Sequence, residues 1–409
     1  MTLQFHIKGV NKMKFTKLSL IAAIAVTTAM AGDAKISGDA KVFYSTFDGG
    51  NNDLFSRAGS IGDSALELKY SRDVKEGITL NAGITGVSTL GLERELVGGT
   101  WVHHADGAQL GDEMYLDTAN IVAKVANTTL VVGRQALDTP FFYSETWNIV
   151  PNTFDAAVAV NSDIPDTTLV AAWVGRGNGW NDDDDTTLGT TVNAANDGAA
   201  FSTFGGHPAY AFGLINKSIP NTAVQGWYYQ IPTVAKTYWL QADTSVTKEI
   251  SLGAQYASAK LNSANDDTNA FAVKAAYSAG PLKAHVAYSS RNDVDGIDIS
   301  NIATGHGGAS ESRLYTEAFW NYGLAGARDT DTIAVGASYD LGIAELGASY
   351  NSFDTGAANR DVQEVALTAT TKVGPVDATL AYISTSADNA NAARDGNTAQ
   401  VYLTVPFSL

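Results

Sequence analysis

The sequence predicts an all-β fold, a transmembrane antiparallel β-barrel of about eighteen strands with long external loops. Three observations predict it: period-two alternation along most of the chain, connections that alternate between tight and long, and a surface poor in charge. Charged residues make up 17% of the 409 residues and hydrophobic ones 45%, whereas soluble domains carry roughly 25% charge. Something other than charge must cover this surface. The absence of cysteine excludes a disulfide scaffold, a thiolate metal site and a cysteine nucleophile. A net charge of −17 argues against nucleic acid as a partner.

The first element is an export signal. Residues 13–31 read MKFTKLSLIAAIAVTTAMA, with Lys14 and Lys17 as a basic start, Leu18 to Val26 as an apolar stretch, and Ala29-Met30-Ala31 ahead of Gly32. The apolar stretch is too short to span a bilayer. Met13 is the expected initiator, cleavage is expected after Ala31, and residues 32–409 are expected to form one barrel domain. The charged residues of 1–31 are Lys8, Lys12, Lys14 and Lys17, so removing that segment makes the chain more acidic still.

No second long apolar run follows, so crossing a membrane falls to strands. Residues 78–88, ITLNAGITGVS, put Ile78, Leu80, Ala82 and Ile84 on one face and Thr79, Asn81, Gly83 and Thr85 on the other. In 281–291, Leu282, Ala284, Val286 and Tyr288 oppose Lys283, His285, Ser289 and Arg291. The phrase GASYD at 336–340 returns as GASYN at 347–351, with Leu341-Gly342 as the turn between. Such alternation puts one face against an apolar medium and the other against water. The expected strands are 35–47, 63–74, 78–90, 116–126, 128–135, 154–162, 167–175, 209–217, 222–231, 234–244, 249–260, 268–278, 281–291, 331–340, 342–352, 361–373, 375–385 and 397–407. Most are close to the length that a tilted strand needs to cross a bilayer.

Tight turns fall at Lys75-Glu76-Gly77, Ala126-Asn127, Asp163-Ile164-Pro165-Asp166, Ile219-Pro220-Asn221, Ala279-Gly280, Leu341 and Gly374. Between them lie long segments rich in Asp, Asn and Gly at 48–62, 91–115, 136–153, 176–208, 292–330 and 386–396. A soluble sandwich has no reason to sort its connections this way, whereas an outer-membrane barrel has short periplasmic turns and long external loops. On the outward face, Tyr44, Tyr70, Trp173, Tyr228, Tyr256, Tyr277, Tyr288, Tyr339, Tyr350 and Phe407 sit near strand ends. That is where aromatic girdles meet the two membrane interfaces.

Four further features are the short signal segment, Asp63-Ser64-Ala65-Leu66, Gly86-Val87-Ser88-Thr89-Leu90-Gly91-Leu92, and Val132-Gly133-Arg134-Gln135-Ala136-Leu137. In these residues the sequence resembles the outer-membrane porins of epsilon-class proteobacteria, the OprD-like and major-outer-membrane-protein group. The resemblance implies eighteen strands, a homotrimer, and a third loop folded inward to narrow the pore. It also implies outer-membrane lipid, lipopolysaccharide and the barrel-assembly machinery as partners. One departure is that such barrels end on an aromatic residue read by that machinery, whereas Phe407 is followed here by Ser408 and Leu409.

The third loop, residues 136–153, reads ALDTPFFYSETWNIVPNT and is more aromatic than the other long segments. A solvated loop seldom spends Phe141, Phe142, Tyr143 and Trp147 together, so folding against the barrel wall is expected. The alternatives are packing at a subunit contact or standing outward from the barrel. If the loop folds inward, Asp138 and Glu145 are the charges it presents to the pore. Strand parity nominates Lys41, Lys69, Lys124, Arg176, Lys274, Lys283, Arg291 and Lys372 as lumen bases, and Asp39, Glu67, Glu345, Glu364 and Asp377 as lumen acids. Opposed charges across a passage make a transverse field that sorts solutes. A wet wall also carries charges with no such role.

The run Asp182-Asp183-Asp184-Asp185 offers hard oxygens to a divalent cation, but it lacks EF-hand spacing and reads more readily as a solvated acidic loop. No other cofactor is expected. The six His show no metal spacing, and no G-x-S-x-G elbow, P-loop or H-E-x-x-H occurs, so no enzyme is expected. The expected function is a water-filled channel for ions and small hydrophilic solutes, with a modest cation preference. The rivals are a substrate-specific channel (basic amino acids, peptides or nutrient anions) and a surface adhesin that binds through its long loops.

Overall fold

The computed structural model describes residues 34–50, 52–88, 90–92, 96–97, 113–146, 149–178, 201–304, 310–356, 361–388 and 394–409. The expected signal segment 1–31, with Met13 and Ala31, lies outside them, as do Trp147 and Asp182-Asp183-Asp184-Asp185. The strands are β1 (Lys35–Phe47), β2 (Ser60–Lys75), β3 (Ile78–Ser88), β4 (Glu113–Val125), β5 (Thr128–Gln135), β6 (Phe154–Asn161), β7 (Thr167–Gly177), β8 (Ala209–Asn216) and β9 (Thr222–Ile231). They continue with β10 (Ala235–Ser245), β11 (Ile250–Leu261), β12 (Thr268–Ala279), β13 (Leu282–Arg291), β14 (Thr330–Asp340), β15 (Ala344–Thr355), β16 (Val362–Val373), β17 (Val376–Ala387) and β18 (Gly396–Ser408). They form one sheet of 18 strands in which sequence neighbours pair, and β1 pairs with β18. The sheet therefore closes on itself, as the alternation predicted. No helix among the described residues is long and apolar enough to cross a membrane.

The faces follow from residue size and polarity. Ile84 is 44% exposed and Val286 50%, an exposure that water would penalise and lipid does not. The alternate positions turn inward, where Glu67, Thr85, Ser289 and Gln400 are buried. The tight turns end the strands where the backbone must reverse. Gly77 has φ 74°, and a Cβ there would stand 2.9 Å from the carbonyl oxygen of Lys124, so glycine suits this turn best.

The connections sort less strictly than expected. The fifth external loop is only residues 232–234, with Thr233 at φ 62°, and the sixth spans 262–267. The inner wall is also of two kinds. On β1 and β2 it carries Lys41, Glu67 and Lys69. On β5 to β8 it carries Val131, Val158, Val170, Ala172, Ala209, Ala211 and Ile215, all buried.

Candidate pore constriction

The third loop leaves β5 and turns back at once. Asp138 and Tyr143 form an isolated antiparallel bridge, and the Ser144 N–H donates to the carbonyl of Leu137 at 2.8 Å. The turn between them aims two phenylalanines at the wall. Phe141 meets Tyr229 and Trp239 edge-on, with ring centroids at 5.6 and 5.7 Å. Phe142 meets Phe204 edge-on at 4.9 Å and stacks on Tyr229 at 5.9 Å. Tyr229 and Trp239 are buried on the inner face of β9 and β10, so the loop lies inside the barrel. Its returning limb packs Ile149 and Val150 against Phe43, Ala65, Val87 and Tyr115 on β1 to β4.

A second loop crosses the lumen. The seventh, residues 292–329, begins beside the third: Asn301 donates through Nδ2 to the Tyr143 carbonyl at 2.8 Å and to Glu145 at 2.9 Å. The Ile302 N–H donates to the Phe141 carbonyl at 2.9 Å. Gln255 of β11 then holds the loop from both ends of its amide, donating to the Arg313 carbonyl at 2.9 Å and accepting from the Tyr315 N–H at 3.0 Å. The Tyr315 hydroxyl donates to Asp243 of β10 at 2.7 Å. Asn351 of β15 donates to the Thr316 carbonyl at 2.9 Å.

The far anchor is Glu364 on β16. Its carboxylate accepts the backbone N–H groups of Phe319 (2.9 Å), Trp320 (3.2 Å) and Asn321 (2.7 Å), and the Asn321 side chain at 2.9 Å. Trp320 packs against the clusters around Phe43 and around Ala366 and Ile383. Two carboxylates within this loop are held protonated to higher pH than usual. Burial pushes Asp298 up to about 6, against the opposing pull of Arg291, and pushes Glu317 up to about 7 although Ser312 and the Gly323 N–H donate to it.

These contacts redistribute the residues nominated from sequence. Asp138 and Glu145 do not present free charge to the pore. Asp138 accepts from Arg313 at 2.6 Å, and that guanidinium lies 3.8 Å over the Tyr143 ring. Glu145 is buried and accepts from Asn301, Thr304 and the Glu311 N–H. Phe141, Phe142 and Tyr143 are likewise buried, so they fix the loop to the wall and are not the lip of the passage. The Tyr143 hydroxyl donates to the Glu311 carbonyl.

On the wall, Lys41 and Lys69 share the Glu67 carboxylate, beside Asp39, whose register partner is Glu67. Lys274 lies 3.7 Å from Asp243 and 3.8 Å from the Tyr315 ring centroid. Near the periplasmic end stand Lys283 with Glu345 (3.3 Å), Lys372 with Asp377 (3.2 Å), and the exposed Lys124. Arg291 and Glu364 face inward but are buried as loop anchors: Arg291 donates to the carbonyls of Asn292 and Val294, both at 2.6 Å.

Arg176 is not on the lumen wall. The β6–β7 register shifts between Asp155 and Ala156, and the bulge turns Arg176 to the outer face with Asp155. Sequence reasoning also passed over Asn301, Arg313, Tyr315 and Asn321. A signal existed, because Tyr315, Phe319, Trp320 and Tyr322 are as dense in rings as the third loop. The Asp-, Gly- and Asn-rich length around them hid it. Among the described residues, no group of three His, Asp or Glu side chains could hold a metal ion.

A closed barrel with a lipid-facing outer surface and two loops folded into its lumen defines an outer-membrane channel. Residues 77–366 match the family described as outer membrane porin, OprD family. The chain belongs to the OprD family of outer-membrane porins. Among solved structures it is similar to Pseudomonas aeruginosa OccK8 (OprE), with a TM-score of 0.72, 16% identity, and coverage of 93% of this chain and 100% of that one. It is also similar to P. aeruginosa OpdK with vanillate (TM-score 0.70, 15% identity, 93% and 100% covered). Acinetobacter baumannii OccAB1 gives a TM-score of 0.70 at 15% identity, with 94% and 99% covered. At such identities the likeness is one of fold. No curated protein matches the chain in sequence.

Proposed function

We propose that this porin is a passive, water-filled channel for ions and small hydrophilic solutes, with a modest preference for cations. The observation that carries the reading is the charge of the loop across the lumen. Besides the buried Glu317, which stays partly protonated near pH 7, the seventh loop holds Asp293, Asp295, Asp298, Glu311 and Asp329 against Arg313 and Arg328. Both arginines are already committed, Arg313 to Asp138 and Arg328 to Asp293 and Asp295. A negative passage raises the local cation concentration. The wall lysines oppose it, which keeps the preference modest. Reversal potentials of single channels in a salt gradient test this. Cation preference that fades at high salt is expected, since the Debye length falls to about 3 Å at 1 M. Anion preference would overturn the reading.

A second reading is a channel for one class of solute. It is favoured by Lys69, whose side chain is 46% exposed beside the Lys41–Glu67 pair, and by the likeness in fold to P. aeruginosa OpdK with vanillate. Saturable block of ionic current by vanillate, lost in Lys69→Ala, would favour it over the general channel. Export through residues 1–31 and assembly as a homotrimer belong to the same proposal. N-terminal sequencing of the membrane form and the mass of the detergent complex test them.

A further inference from the structure

The outer face is nearly free of charge for most of its height, but the external ends of β5 to β11 break that rule. Val132, Ala157, Trp173 and Tyr210 stand side by side across four strands. One step further out along those strands, roughly 7 Å, the next outward row is Arg134, Asp155 and Arg176. Asp155 accepts from Arg134 Nε at 2.8 Å and Nη2 at 3.1 Å, and from Arg176 Nε at 2.7 Å. Arg134 is further spent, since Nη1 donates to the Leu116 carbonyl at 2.8 Å and its guanidinium lies 3.6 Å over the Phe201 ring.

Arg176 is not spent. Its side chain is 51% exposed; its guanidinium carbon lies 5.7 Å from the Phe201 ring centroid, looser than the 3.6 Å of Arg134, and among the described residues its one hydrogen bond is made by Nε. The aromatic row itself continues from Tyr210 through Gln230 to Lys236 and Lys260. Lys260 pairs with Asp267 at 2.8 Å, whereas the exposed Lys236 has no ion-pair partner among the described residues. Among the described residues, four bases against two acids thus line one flank of a chain whose net charge is −17. The opposite sign sits on another flank, where the outward Asp331 and Asp354 are register partners.

A lipid-facing Arg or Lys is costly at the bilayer midplane and nearly free at the interface. With a girdle of Trp173, Tyr210, Tyr228 and Tyr238 beside them, these cations stand at the level of the outer-leaflet headgroups. A guanidinium with a free fork matches a phosphate, and a lysine adds a point charge. We infer that the outward cations Arg176 and Lys236, three strands apart, bind the phosphorylated saccharide headgroup of an outer-leaflet lipid. Asp155 fixes the geometry, and Arg176 and Lys236 supply the open cations. This rests on the orientation of the barrel and not on its ion preference.

The test uses the full membrane-extracted protein, native mass spectrometry, and lipid A carrying two phosphates or none as the probe. Preferential retention of the bisphosphorylated form is expected. Arg176→Ala with Lys236→Ala should weaken it by roughly thirtyfold, counting the usual contribution of two bases beside an anionic surface. Arg176→Lys with Lys236→Arg should restore most of it, and inorganic phosphate should not displace the lipid. Unchanged single-channel conductance in the variants shows that the barrel has formed. Equal retention of both lipids, or of the bisphosphorylated lipid by wild type and double variant, would overturn the inference. A change in subunit number with unchanged lipid binding would reassign the row to a contact between copies.

Discussion

The third and seventh loops both enter the lumen, yet they are held there by different physics. The third is pinned by rings: Phe141 and Phe142 pack into Phe204, Tyr229 and Trp239, where burial is non-directional and tolerant of small shifts. The seventh shares that apolar core through Ile297, Ile299, Ile302, Leu314 and Leu324, but its path along the wall is set by single polar groups on β10, β11, β13, β15 and β16. The lesson is that a hydrophobic anchor sets where a loop lies, while a polar one sets its path residue by residue. The two loops are then tied to each other through Asn301 and the Asp138–Arg313 pair.

Glu364→Ala should separate the two anchors most sharply. It leaves three backbone N–H groups without their acceptor, on the order of 1–3 kcal/mol for each one left buried. Rapid hydrogen exchange at 317–323 and noisy, enlarged conductance are expected, with 139–143 still protected. If both loops loosen together, they are one unit and the distinction fails. Phe142→Ala comes next, at about 3–5 kcal/mol for a buried aromatic residue. Exchange should rise first at 139–143, with the Glu364 contacts intact.

Arg313→Ala and Asp138→Asn cut the link between the loops from its two ends. The pair is about one quarter exposed on each side, so stability should change by only about 1 kcal/mol. Selectivity should move in opposite directions, toward cations for Arg313→Ala and away from them for Asp138→Asn. Equal reversal potentials would show that the pair lies outside the ion path.

The smallest effect is graded with pH. Asp298 at about 6 and Glu317 at about 7 lie above their ordinary values of 3.8 and 4.5. The docked loop therefore binds more protons than a released one across that window, and its docking weakens as pH rises toward and past 7. Hydrogen exchange at 312–323 should slow between pH 8 and pH 5. Glu317→Gln should flatten the upper part of that profile. An exchange rate that, after correction for intrinsic chemistry, rises on acidification would contradict the assignment.

The barrel was legible because strand alternation is local: Leu80, Ala82 and Ile84 announce their face without knowledge of any partner. The inward course of the third loop was legible for a related reason, since four rings within 141–147 demand a dry surface. Two things were not. Arg176 lies past a bulge, and counting by twos cannot detect an inserted residue. The seventh loop's anchors, such as Glu364 for Asn321 and Gln255 for Tyr315, are ordinary polar residues whose meaning depends on partners 43 and 60 positions away. For the same reason Asp138 and Glu145 look free in sequence and are engaged in the fold.

Closure between β1 and β18 bears on how the barrel is made. Their register runs from Ser37↔Ser408 to Phe47↔Thr398, which joins the two strands most distant in the chain. Every other pairing joins sequence neighbours and can zip locally, so this seam has the greatest loop-closure entropy to overcome and is expected last. Until then a nearly complete sheet carries two open edges, each a template for wrong partners. The hazard of making this protein is thus concentrated in one seam, and a free peptide copying residues 396–408 should arrest assembly by occupying the edge of β1.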